Sequence, residues 1–408
     1  MNNILKIFTL LFTFTVFSCS NPSNPSEPVI TVNGTVTDAF NNPAPNINIK
    51  INDTELRTDA SGNFSLQNVT TPYDLYVDYM NISIPTGIKF ESVFNDNPKI
   101  NIFDYVVTNN QNNQQNQISL PSLPSGQKYI LIITNTSNVQ IIRETTGNIN
   151  FVSHWIGNSE INCNLIAIVY DNTNKLFLRS FIKPYLLKTN TVQSNSYNEA
   201  DFNITLNNIL YSGNITKPAG SNTSELVGGL NFLSYNNFWQ NYSFADIVVG
   251  NTYSFYAPDN LPLNPKLFLY SRTTSSDYDV LYNSYISISA GTNITIPAGP
   301  KVTTPMSNGT TMGYDDFFSI DEGGGNGIYM YNFDKPGQQI RVYSRSSSVK
   351  IPKFINVSLN LQSGSEYYLW LDKLYGVENV NELTRYSLFD LRNLNGRGTA
   401  NPVTFNAR

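Results

Sequence analysis

Cysteine is nearly missing from this chain: its 408 residues include two, Cys19 and Cys163. That excludes a disulfide framework of the kind that staples small secreted domains, so stability must come from hydrophobic cores. Histidine is scarcer still, with His154 alone. Zinc hydrolases take His-rich ligand sets, and a Ser-His-Asp triad needs a histidine beside its nucleophile. His154 stands beside Trp155, and no GxSxG stretch accompanies it. It reads as a structural histidine, and Cys163 as a small buried apolar residue. Charge is also thin. Charged residues make up 13% of the chain, about half the usual ~25%. The net charge of −5 offers no basic face for phosphates, which argues against a nucleic-acid partner. Helical periodicity is almost absent.

Aromatics and amides fill the gap. The chain holds 25 Tyr and 24 Phe, and Asn, Ser and Thr carry its polarity. Disordered chains are charge-rich and aromatic-poor, so the bulk is expected to fold. Short alternating β-branched and aromatic runs recur, separated by Asn, Gly, Ser and Pro. Ile47, Ile49 and Ile51 share one face of such a run, as a half-buried strand requires. "YILIIT" (129–134) and "LIAIVY" (165–170) are further such runs, and "YYLWL" (367–371) is apolar on both faces and reads as a central strand, with Trp370 in the core. The fold class expected is all-β, with β-sandwich domains in series.

The N-terminus is a sequence of three parts. Residues 4–17, "ILKIFTLLFTFTVF", are apolar but shorter than the roughly 20 residues a spanning helix needs. They have the size of a signal-peptide core. The run ends Val16-Phe17-Ser18-Cys19 and continues as "SNPSNPSEP", a stretch that proline keeps extended and solvated. The Val-Phe-Ser-Cys ending resembles the lipobox of bacterial lipoproteins. That resemblance implies cleavage before Cys19, a diacylglyceryl thioether on its sulfur and acylation of its new amine. One acyl chain gives marginal membrane binding, at ~0.8 kcal/mol per buried CH₂, whereas three hold a protein permanently.

Residues 30–79 contain "TVNGTVTDAFNNPAPNINIKI", then "RTDASGNFSLQNV", then "PYDLYV". Physically, Asp59-Ala-Ser-Gly62 is a turn in which Gly supplies positive φ and Asp accepts backbone N–H groups, with Phe64 pointing inward. Gly34, Val36, Asp38, Pro43, the Ile47/Ile49 strand, the Thr58–Phe64 turn and Pro72-Tyr73 fall in the order of the carboxypeptidase regulatory-like domain. The segment resembles that family, a small transthyretin-like, Ig-like sandwich. In bacterial surface proteins such a module is a spacer, and it brings no catalytic residues.

The expected organisation is a signal peptide (1–18), a tether (19–28), the regulatory-like sandwich (29–104), an Asn/Gln-rich linker or loop (105–117), and β domains over 118–200, 201–300 and 301–408. Two echoes run through the later part. Gly-x-x-Tyr turns enter strands at Tyr129, Tyr253 and Tyr367, and "GNITKPAG" (213–220) is matched by "TNITIPAG" (292–299). They are either echoes of related sandwich units or common turn chemistry, the second being the plainer reading.

Two clusters are candidate sites. Asp315, Asp316, Asp321 and Glu322 bracket a Gly-rich turn, and their oxygens suit Ca²⁺, which takes six to eight. The same carboxylates are candidates for a glycosidase acid–base pair, which needs a separation of roughly 5–9 Å. A solvated turn between strands explains them equally. Tyr235, Phe238, Trp239 and Tyr242 stand among amides, a mixture that suits sugar stacking at half-wet positions. Rings filling a sandwich core are the plainer reading. No other cofactor is called for.

The functional expectation is a non-enzymatic, lipid-anchored bacterial envelope protein of the outer membrane. It would be a surface binding or adhesion module on a β-sandwich stalk, meeting a polysaccharide or surface-protein ligand. A glycan-processing enzyme and an accessory lipoprotein of an outer-membrane assembly are the alternatives.

Overall fold

The computed structural model describes residues 28–38, 42–81, 84–102, 111–136, 139–232, 242–246, 251–285, 293–385 and 396–408. Among them, regular structure is almost wholly strand, the exceptions being one helix, Val380–Arg385, and the 3-10 turns Glu199–Asp201 and Val357–Leu359. The all-β sandwich class is as the alternating sequence runs demand.

In the first unit, Asn63–Thr70, Val29–Asp38 and Lys99–Ile102 form a small sheet. It closes on Asn48–Ile51, Tyr73–Asn81 and Ile84–Val93 over a core that includes Val32, Val36, Ile49, Val77 and Ile100. The turn chemistry is as expected. Gly62 has φ 75, and Asp59 Oδ1 accepts from the amides of Ser61 and Asn63 at 2.8 Å each. Phe64 lies flat over Gly34, where a Cβ would come within 2.0 Å of the ring.

The Asn/Gln run is not a linker. From Gln111 it is the strand Gln111–Ser119, paired antiparallel to Ile149–Ile156 and parallel to Thr191–Ser196. Its inner side chains, Asn112, Gln114 and Asn116, are buried amides. Gln114 Nε2 donates to Gln193 Oε1 at 3.0 Å, Asn116 Nδ2 to Ser153 Oγ at 2.9 Å, and Tyr185 Oη to Asn116 Oδ1 at 2.7 Å. Each amide both donates and accepts, so alternating amides can line a core once their partners are built around them. A polarity count cannot see this, because the strand has no apolar face.

That sheet covers one face of a second, ordered Gln140–Thr145, Gln127–Thr134, Glu160–Asp171, Leu176–Lys188, Ile204–Thr205. Tyr129, Leu131 and Ile133 fill this core with Trp155 and Phe181. On the other face, Ile130, Ile132, Ile166 and Ile168 meet Leu230, Phe232 and Leu261 of the next unit. Burial on both faces is why these strands read as unbroken apolar runs.

The remaining units share one fourteen-stranded sheet. Ile84–Val93 of the first unit pairs in parallel with Gln338–Ser344, joining Thr86 to Gln339 and Phe90 to Tyr343. Tyr278–Tyr285 pairs with Gly396–Ala400. Units far apart in sequence are therefore fused side by side. Small sheets cover this large one: Thr252–Pro258 with Asn208–Thr216 and Ile294–Thr295, and Lys301–Thr304 with Phe318–Asp321 and Ser348–Val349. The two "NIT" echoes lie next to each other here, Ile215 paired with Ile294 and Thr216 with Thr295.

At the seam between the first and last units, Phe354 enters over Gly87, where a Cβ would meet its ring at 2.7 Å. Beside it, Asp78 Oδ2 accepts from the Asn356 amide at 3.1 Å while Oδ1 has no partner. Burial pushes the Asp78 carboxyl up to about 6, with Glu55 adding to the rise. A carboxyl raised on folding favours the folded state when protonated, so its contribution is lost as pH rises from about 4 through about 6. Relative to Asp78→Asn, the wild type should gain stability as pH falls from 7 to 4. Paired thermal melts across that range check it, and parallel curves would contradict it.

Candidate functional site

The acidic cluster is built around the strand Phe318–Asp321, which buries Phe318 and Ile320. A strand of four residues spans roughly 13 Å, so Asp315 and Asp316 sit at one end, Asp321 and Glu322 at the other. Asp316 is tied down by the Gly313 amide at 2.7 Å and by Arg408 at 2.8 Å. Asp321 Oδ1 accepts from the Gly323 amide at 3.2 Å. The four carboxylates do not converge, and among the described residues no group of three or more His, Cys, Asp or Glu could hold a metal ion. Calcium at this set finds no support in that arrangement, which splits the four residues into two pairs. Register separates residues that adjacency in sequence had grouped.

The Gly-rich turn does hold a cation, one supplied by the protein. Lys373, on the strand Glu366–Tyr375, is 2% exposed. Its Nζ donates to the carbonyls of Glu322 at 3.0 Å and Gly324 at 3.1 Å. The ammonium also lies over the rings of Tyr329 and Tyr375, at 5.3 and 5.7 Å. Such a cage partly replaces lost hydration. Burial lowers the Lys373 pKa, opposed by Glu322, and burial raises the Tyr329 phenol, assisted by the same carboxylate. The turn is shaped for this role. Gly323 has φ +66, and a Cβ there would come within 2.4 Å of the Gly299 carbonyl. The Gly324 amide and Tyr375 Oη both donate to Ala298 O, at 2.9 and 3.0 Å. Above Lys373 is a polar cavity of about 240 Å³, lined by Glu322, Asn326, Tyr329, Arg345, Glu378 and Asn379.

The aromatic–amide cluster stands differently. Tyr235, Phe238 and Trp239 lie outside the described residues, as does Cys19. Tyr242 begins the strand Tyr242–Asp246, paired with Leu230. Cys163 is buried, and burial pushes its thiol up to about 12. His154 is exposed rather than packed, opposite Asn113 in its sheet.

Trp370 is the residue that sequence reasoning misplaced. In Glu366–Tyr375, Tyr367, Leu369 and Leu371 are fully buried, while Tyr368 and Trp370 are each 41% exposed. The run is central in its sheet yet wet on one face. The signal was present: Glu366, Tyr368 and Trp370 share a face by period two, and a charged residue at its end marks it as solvated. Across the sheet, Trp370 pairs with Asn332, and Tyr368 with Asp334 and Thr404.

No protein-family model and no curated protein matches the chain. Solved structures with some likeness include the TIE protein of Bacillus anthracis, at 10% identity over 66% of this chain and 50% of that one, TM-score 0.17. The chain thus spans half the length of that protein. Others are BcpA, the major pilin subunit of Bacillus cereus, at 11% identity over 66% and 99%, TM-score 0.15, and a Ca²⁺-stabilized ice-binding adhesin of an Antarctic bacterium, at 9% over 93% and 99%, TM-score 0.17. Scores of this size decide nothing for this chain, whose β character rests on its own strands. No helix among the described residues is long and apolar enough to cross a membrane.

The Lys373 cage makes a prediction. Lys373→Met removes the donor from the carbonyls of exposed Glu322 and half-buried Gly324 and should cost about 1 kcal/mol. Denaturant titration measures it. Calcium or EDTA should leave the wild-type melting temperature unchanged, and a calcium-dependent rise would restore the metal reading.

Proposed function

We propose that this protein is a non-enzymatic binding protein of the adhesion type, displayed from a bacterial envelope by acyl chains on Cys19. The observation that carries this reading is the lateral fusion of the β units. A string of independent modules bends at each linker. Here the first unit is hydrogen-bonded into the same sheet as the last, through Gln338–Ser344, and ring stacking of Phe90 on Tyr343 at 5.2 Å reinforces the seam. The result is a stiff body rather than a chain of beads.

The attachment point suits load. Directly after the proline-rich tether, Val29–Asp38 is bonded antiparallel to Asn63–Thr70 and parallel to Lys99–Ile102. Tension along the tether is shared among these rungs. The regulatory-like resemblance of this unit fits a membrane-proximal spacer. An outer-membrane location with the body facing outward follows from the same reading.

The experiment is fractionation with surface proteolysis. Cys19→Ala should move the protein from membranes to the soluble fraction, and protease added to intact cells should remove the wild-type body. Membrane retention of Cys19→Ala, or a body protected in intact cells, would overturn the proposal.

A further inference from the structure

The wet face of Glu366–Tyr375 belongs to a stretch of the large sheet with an unusual lining. On this side the first unit's core reaches as far as Tyr343, Ile328 and Leu374. Beyond it, Tyr368 and Trp370 stand in solvent while Tyr367, Leu369 and Leu371, pointing the other way, are fully buried. Tyr368 is paired along both edges, with Asp334 and Thr404, and Trp370 along one, with Asn332. They project side by side, roughly 7 Å apart along the strand.

The floor around them is fixed as well. Asp372 Oδ1 accepts from Arg397 Nε at 2.9 Å and from Thr399 Oγ1 at 2.6 Å. Asn332 Nδ2 donates to the Trp370 carbonyl at 3.3 Å. The half-buried polar groups nearest the rings are Asp334, Gln339, Arg341 and Thr404, Gln339 and Arg341 lying opposite Asp334 and Asn332 in the next strand. Arg397 is ion-paired with Asp372, and the positive charge of Arg341 opposes the rise that burial imposes on the Asp334 carboxyl.

We propose that Tyr368 and Trp370 form an open platform for a neutral polysaccharide chain. This rests on the reading of the protein as a surface binding protein and adds a site and a ligand class to it. A pyranose presents a C–H face and a hydroxyl rim. Flat rings accept the former, and amide, carboxylate and hydroxyl groups beside them meet the latter. Two rings among polar side chains give too little apolar area for a stable protein interface, which needs about 800 Å² per partner. Compensated charge gives no attraction to a polyanion.

Full-length protein in detergent is passed over immobilised cellulose, xylan, mannan and chitin, with alginate and heparin as polyanions. At least one neutral polymer should retain the wild type. Trp370→Ala and Tyr368→Ala should each weaken that retention roughly tenfold or more, and Trp370→Phe should keep most of it. Melting temperatures recorded for each variant, all well above the assay temperature, separate lost contact from lost fold. Retention by none of the neutral polymers, by polyanions alone, or equally by Trp370→Ala would overturn the platform. So would loss confined to Trp239→Ala. Those results leave the surface-display reading to its own test by fractionation, so the two failures are distinguishable.

Discussion

Parallel pairing between Ile84–Val93 and Gln338–Ser344 is the constraint on which the rest of the structure depends. The second of these strands serves two cores at once. Tyr343 faces the first unit and stacks on Phe90, whereas Ile340 and Val342 face the last unit's core with Tyr331 and Phe333. A slip of one residue would send each set to the wrong face. The register is therefore specified from both sides, and with it the relative placement of units far apart in sequence.

Scarcity of charge shapes the interior. A chain with few ion pairs and no disulfide framework still has polar atoms to bury, and amides carry much of that burden. Gln114 and Asn116 sit within the second unit's core with full sets of partners. At the seam of the third and fourth units a single ammonium, Lys373, gathers the carbonyls of a Gly-rich turn that backs onto Ala298. An ammonium carried on a strand arrives with folding and needs no supply from solvent. It fixes the turn permanently, where a bound ion would fix it on condition.

The parts of the fold legible in the sequence are those governed by local pattern. Ile47, Ile49 and Ile51 do share a buried face, and the 59–64 turn forms as its Asp and Gly dictate. The Gly-x-x-Tyr stretches place Tyr129, Tyr253 and Tyr367 in cores. What escaped is set by tertiary pairing. The Asn/Gln strand draws its stability from neighbours on two other strands, so composition alone marked it as a loop. The acidic residues were close in sequence but lie at opposite ends of a strand. The partner of their Gly-rich turn, Lys373, comes some fifty positions later (|i−j| of 49 to Gly324). Trp370 was assigned by the polarity of its run, when the parity it shares with Glu366 was the better guide.

Topology explains why a wet aromatic face exists in the middle of so large a sheet. The first unit's small sheet covers one side, the side of Ile88 and Phe90. The small sheets of the third and fourth units cover the opposite side, that of Leu371, Tyr331 and Val280. The cover changes sides near Gln338–Ser344, and each half of the large sheet is left with one solvated face. Elsewhere on that face stand the ion pairs Arg397–Asp372 and Arg272–Asp279, charges of the kind that keep an open sheet soluble. Tyr368 and Trp370 depart from that rule. Neither ring belongs to the core on the strand's other face, where its fully buried side chains point. Two exposed rings side by side on a strand of a large sheet are what a contact surface requires.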